Sequence, residues 1–86
     1  MDSITYEKHL AGQLAAAIEH TDKSVVQISK ESGISETTLY RRIQHPESSF
    51  FAINELVALS HALGLDFMSV VTDAAAAAER EIEEQK

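Results

Sequence analysis

The sequence predicts an all-α bundle of about five helices, and three observations carry that prediction. Apolar residues recur at intervals of three and four along most of the chain, and no segment alternates with period two over a useful length. Only three Gly and one Pro are present to interrupt helices. With 86 residues, 44% of them hydrophobic, the chain is long enough for one domain with a single core and too short for two. Cysteine is absent, which excludes disulfides, thiol chemistry and thiolate zinc sites, so packing and oligomerisation must supply the stability.

The first helix is expected from about Ser3 to Glu19, where Tyr6, Leu10, Leu14 and Ile18 recur every four residues. Ser3 is its expected N-cap and Glu7 an acid of its first turn. After a polar connection at residues 20–23, Ser24 and Gln27 fit the capping-box spacing for a second helix that turns Val25 and Ile28 inward. This helix must stop at Gly33, the residue type that reaches the left-handed region at little cost. Ser35 offers the next N-cap, and Leu39 with Ile43 gives the third helix an apolar pair. Pro46 disfavours helical geometry at His45, so the third helix should end near Gln44.

Ile53, Leu56, Leu59 and Leu63 mark a fourth helix closed by Gly64. Asp66 caps a fifth, with Phe67, Val70 and Val71 facing inward and the run Ala74 to Ala78 continuing it. The expected division is a main unit over residues 1–73 and an Ala-rich, then acidic, helical extension over 74–86. Val71, Ala74, Ala78 and Ile82 lie on one stripe of small and apolar residues, which suggests that the extension joins two copies of the chain.

Asp plus Glu number 14 against 7 Lys plus Arg, a net charge of −7 that argues against a polyanion partner. The deficit is uneven. Residues 1–20, 46–65 and 66–86 are all acidic, whereas residues 21–45 carry Lys23, Lys30, Arg41 and Arg42 against Asp22, Glu31 and Glu36, a local excess of one positive charge. Within that segment, residues 24–44 make a short capped helix, a Gly-containing turn and a second capped helix, which is helix-turn-helix spacing. Small Ser29 suits the crossing of the two helices. The second helix would project with its outer face free to enter a major groove about 12 Å wide.

The residues Gly33-Ile34-Ser35 and Thr38-Leu39-Tyr40-Arg41-Arg42-Ile43 carry a resemblance, followed by Phe51-Ala52-Ile53-Asn54-Glu55-Leu56 and Leu59-Ser60-His61-Ala62-Leu63-Gly64-Leu65. Across roughly Leu10 to Val71 the chain resembles the phage-repressor and Cro type of helix-turn-helix protein, the XRE-like transcriptional regulators, and small actinobacterial or actinophage members among them. The resemblance implies a compact lambda-repressor-like bundle, residues 1–73 being its DNA-binding domain. It further implies a sequence-specific regulator that occupies a double-stranded operator, usually as a homodimer.

Carried over residue by residue, the resemblance places Ser35, Glu36, Thr37, Tyr40 and Arg41 toward the base edges. Arg41 is the foremost reader, since a guanidinium can contact O6 and N7 of guanine together. Thr37 suits a thymine methyl and Glu36 the N4 amine of cytosine. Lys23, Gln27, Lys30, Thr38, Arg42 and Gln44 are assigned to phosphates, which fix register without reading sequence. Val25 and Val26 stand where many relatives carry a DNA-contacting Gln, and Ala52 stands where they often carry a capping Thr.

Plainer readings compete. A helix-turn-helix is also a way to pack two short helices, Arg41 and Arg42 can be ordinary surface charge, and Tyr40 can be a half-buried packing residue. Glu36 suits the first turn of any helix. The competing function is an acidic protein-interaction module, antirepressor-like or antitoxin-like, that keeps the fold without specific DNA binding. His9, His20, His45 and His61 are dispersed without metal-ligand spacing, and no nucleophile, phosphate loop or small-molecule site is evident. We therefore expect no enzyme, no cofactor and no metal. No apolar stretch approaches the ~18 residues of a membrane span, and no signal peptide is evident. The expected location is the cytoplasm of a bacterium or a phage-infected host.

Overall fold

The structure, a computed structural model, describes residues 3–85. Residues 1, 2 and 86, the outer ends of the expected division, lie outside the described residues. Five helices follow one another: α1 (Ser3–His20), α2 (Val25–Ser32), α3 (Glu36–Gln44), α4 (Ile53–Ala62) and α5 (Phe67–Glu84). No strand occurs among the described residues, and no single helix is long and apolar enough to cross a membrane.

The caps fall where their residue types demand. Ser24 Oγ accepts the Gln27 N–H at 3.1 Å, Ser35 Oγ accepts that of Thr38 at 3.2 Å, and Asp66 accepts that of Ser69 at 3.0 Å. Gly33 and Gly64 sit at φ 75° and 70°, in the left-handed region that ends α2 and α4. His45, at φ −127° and ψ 58°, has left the helical region immediately before Pro46, which ends α3.

Four local expectations are corrected. Ser3 is already helical, and Glu7 lies beyond the first turn of α1. The capping box at α2 is half made, because the Gln27 side chain does not return to Ser24 but donates to Glu31 Oε2 at 2.8 Å. Val71, expected inward, is only partly buried, while Val70 is 7% exposed and Ala74 is fully buried.

One core joins all five helices. Leu10 and Leu14 from α1, Ile28 from α2, Leu39 from α3, Leu56 and Leu59 from α4, and Val70 and Ala74 from α5 form a single cluster, completed by Ile34 and Phe51 from the connections. Burying each large side chain contributes about 1.5–3 kcal/mol, so this cluster dominates the stability. Phe51 and Leu56 flank the N-cap of α4 as a hydrophobic staple, which sets the angle at which the chain enters that helix.

The start of the expected extension packs with this core. Helix α5 crosses residues 73 and 74 without a break, and Ala74 and Ala78 are both 0% exposed. Its principal neighbour is α1. His9 Nε2 lies 3.4 Å from Glu81 Oε1, so the pairing reaches the last turns of α5. The alanine stripe does bring two helices close, but its partner is α1 of the same chain. Ala74 and Ala78 are therefore already covered within the chain, while Val71 and Ile82 of the same stripe are partly exposed.

Candidate nucleic-acid interface

Helix α3 owes its position to a short polar and apolar framework. Leu39, 1% exposed, and partly buried Ile43 anchor one face, packed toward α1 and α2. Ser29 Oγ donates to Ile34 O at 2.5 Å, and the Gly33 N–H bonds to Ser29 O at 2.9 Å, which together fix the turn between α2 and α3. At 3.6 residues per turn, Thr37, Tyr40, Arg41 and Gln44 then share the side opposite Leu39. All four are exposed. Helix α5 lies against α1 and leaves this side uncovered.

The residues expected to read bases divide into two kinds. Ser35 is exposed, but its hydroxyl accepts the Thr38 N–H and donates to Thr38 Oγ1 at 2.9 Å, so cap formation occupies it. Glu36, Thr37 and Arg41 are exposed, and no described residue pairs with the Arg41 guanidinium. Tyr40 is 47% exposed and borders a shallow apolar groove of about 150 Å³ that Ile18, Val25 and Ile43 also line. Tyr40 is therefore shared between the groove and solvent.

The residues expected at phosphates are distributed differently from that expectation. Lys23 Nζ lies 2.6 Å from Glu31 Oε1 and 2.6 Å from the carbonyl of Ala62, in the last turn of α4. It clasps the two helices, as a cation does well at a helix C-terminus. Gln27 donates to the same Glu31. Hydrogen bonds from Lys23 and Gln27 hold the Glu31 carboxyl below the usual carboxylate range. Thr38 is half-buried in the α3 cap. Lys30 and Gln44 are exposed and have no ion-pair or hydrogen-bond partner among the described residues.

Arg42 shows the largest difference from expectation. Its Nε lies 2.7 Å from Glu55 Oε1, its second terminal nitrogen 3.2 Å from Glu55 Oε2, and its first 3.0 Å from Ser49 Oγ. The two charged side chains are 21% and 19% exposed. Burial pushes the Glu55 carboxyl up, but the Arg42 hydrogen bonds, the Ala52 N–H and the Arg42 charge outweigh burial and leave it below its ordinary value.

Glu55, Ser49 and Glu31 are thus residues of the interface region that sequence reasoning missed. One signal pointed to Glu55. It stands three residues after Ala52, whose side chain cannot cap, and its Oε1 accepts the Ala52 N–H at 2.9 Å, the half of a capping box that needs no hydroxyl at the N-cap.

These pairs alter the local charge. With Lys23 facing Glu31 and Arg42 facing Glu55, the Lys and Arg of residues 21–45 left without a partner among the described residues are Lys30 and Arg41. The local excess counted along the sequence is cancelled by an acid from outside the segment. Among the described residues no group of three or more His, Asp and Glu is arranged to hold a metal ion.

No protein-family model, curated protein or solved structure matches this chain, so the functional reading rests on the geometry of α3 and its surroundings.

Proposed function

We propose that the protein is a sequence-specific double-stranded DNA-binding regulator of the phage repressor or Cro type, reading an operator through the major groove with α3. One observation supports the reading above the others. An unpaired arginine, Arg41, stands with Thr37, Tyr40 and Gln44 on the uncovered side of a helix fixed by a Gly33 turn and a Ser35 cap. A rigid helix with a planar double donor on its free side suits guanine, and its threonine suits a thymine methyl. Blocking transcription would follow from occupancy of the operator.

Electrophoretic mobility on the DNA flanking the gene, at two or more salt concentrations, tests the proposal. With Arg41 on a base, the one cation of this region left for phosphate and without a partner among the described residues is Lys30, which gives a slope of log affinity against log salt near −1 per bound monomer, from about 0.9 for each neutralised phosphate. A sequence preference with that shallow slope supports the reading. The absence of any retarded complex at low salt overturns it.

A second reading is favoured by a separate surface. On α4, Ile53 is 73% and Val57 47% exposed, with Phe50 47% exposed just before the helix. Large exposed apolar side chains four residues apart on one helix suit a protein contact, as in an acidic antirepressor-like or antitoxin-like module. Loss of association with a protein partner in Ile53→Ser, with DNA binding absent throughout, would favour it.

A further inference from the structure

The two adjacent arginines of α3 have opposite fates. Arg41 points away from the body and is unpaired, whereas Arg42, three residues after Leu39, lies on the inward flank of the helix. Each of its three guanidinium nitrogens has an acceptor, two on Glu55 and one on Ser49. Glu55 is itself fixed by the backbone, because it closes the first turn of α4 through the Ala52 N–H. A fork-to-fork pair of this geometry is both strong and directional.

We infer that Glu55 is a specificity-determining positioning residue, which withholds the charge of Arg42 from DNA and holds the last turn of α3 against α4. The inference rests on the DNA-binding reading of α3. Attraction to phosphate is blind to sequence, so every cation removed from the interface lowers binding to all duplexes alike. In a chain with few free cations near α3, base contacts by Arg41 then make up a larger share of the affinity. Release of Arg42 would strengthen binding everywhere and narrow the margin between operator and random DNA.

The test compares the native protein with Glu55→Gln, Arg42→Gln, the double variant and Glu84→Gln. The last removes one negative charge at the exposed end of α5 as a control for net charge. Affinity is measured on a random-sequence duplex and on a duplex obtained by in vitro selection, at 50 and 200 mM salt. Glu55→Gln should steepen the slope by about 0.9, an additional threefold to fourfold loss of affinity between those salt concentrations. Its preference for the selected duplex should fall. Arg42→Gln alone should leave the slope at the native value and, added to Glu55→Gln, should cancel the gain. Glu84→Gln should change neither.

A flatter slope in Arg42→Gln would show that Arg42 already contacts phosphate, and would overturn the inference while leaving the DNA reading intact. An unchanged slope and preference in Glu55→Gln would do the same. If the native protein binds neither duplex, the DNA reading fails and the inference falls with it. Nitrogen-15 NMR separates these cases, because a slowly exchanging Arg42 Nε–H in the native protein, lost in Glu55→Gln, reports the pair without DNA. Should Glu55→Gln not fold, Arg42→Gln, which keeps the α4 cap, carries the slope measurement alone.

Discussion

Deleting residues 74–86 separates two views of the C-terminal helix. If it is an appendage, its loss leaves a folded unit; if it is core, the unit collapses. Ala74 and Ala78 are 0% exposed, and Ala74 belongs to the same cluster as Leu10 and Leu14. Removal forfeits the burial of both methyl groups and opens the cluster that holds Leu10 and Leu14 to water, a loss on the order of 3 kcal/mol by burial alone. What remains of α5 is about two turns, too short to hold a helix without tertiary support. A chain of 86 residues has about 4–13 kcal/mol of stability in all, so the truncated protein should be marginal or unfolded. Far-UV circular dichroism should show a melting midpoint lower by at least about 12 °C, or no cooperative melt. A cooperative melt within about 4 °C of the full chain would refute the reasoning. Retained folding with a halved mass by sedimentation would show that the stripe joins two copies.

Other expectations follow from single residues. Arg41→Ala should cost about 1–3 kcal/mol on the selected duplex and relax its preference at one position, while thermal stability stays within about 0.5 kcal/mol. Ser60 is 1% exposed and its Oγ has no partner among the described residues, so Ser60→Ala should stabilise by about 1 kcal/mol, read as a rise in melting temperature of roughly 4–8 °C. Gly33→Ala meets no atom within 4 Å of the added Cβ, but φ is +75°, so it should destabilise by about 1–2 kcal/mol through backbone strain alone. The Glu55 carboxyl lies below its ordinary 4.5 in the folded chain, so its contribution to stability is present above that pH and is lost as pH falls through the folded value. Acid denaturation should therefore show a smaller loss of stability below about pH 4.5 in Glu55→Gln than in the native protein.

Much of the backbone was legible because helix ends are local chemistry. Ser24, Ser35 and Asp66 cap, and Gly33 and Gly64 terminate, within a few residues of where their types are read. The exposed side of α3 was legible for the same reason, since Leu39 and Ile43 fix which way Arg41 turns. Pairings between distant segments were not legible. Arg42 meets Glu55 thirteen positions away and Lys23 meets the Ala62 carbonyl thirty-nine positions away. No periodicity announces either contact. The alanine stripe of α5 correctly signalled close helix packing, yet small residues look the same whether the partner is another copy or the first helix of the same chain.

The pairing of α1 with α5 also orders events in time. Helix α1 finds its principal neighbour in α5, and the other three described helices lie between them in sequence. Until translation has delivered α5, the face of α1 that it covers stays open to water, to other nascent chains and to chaperones. Bringing α1 and α5 together closes the longest loop between neighbouring described helices, and the entropy cost of that closure slows folding relative to a bundle held by neighbours in sequence.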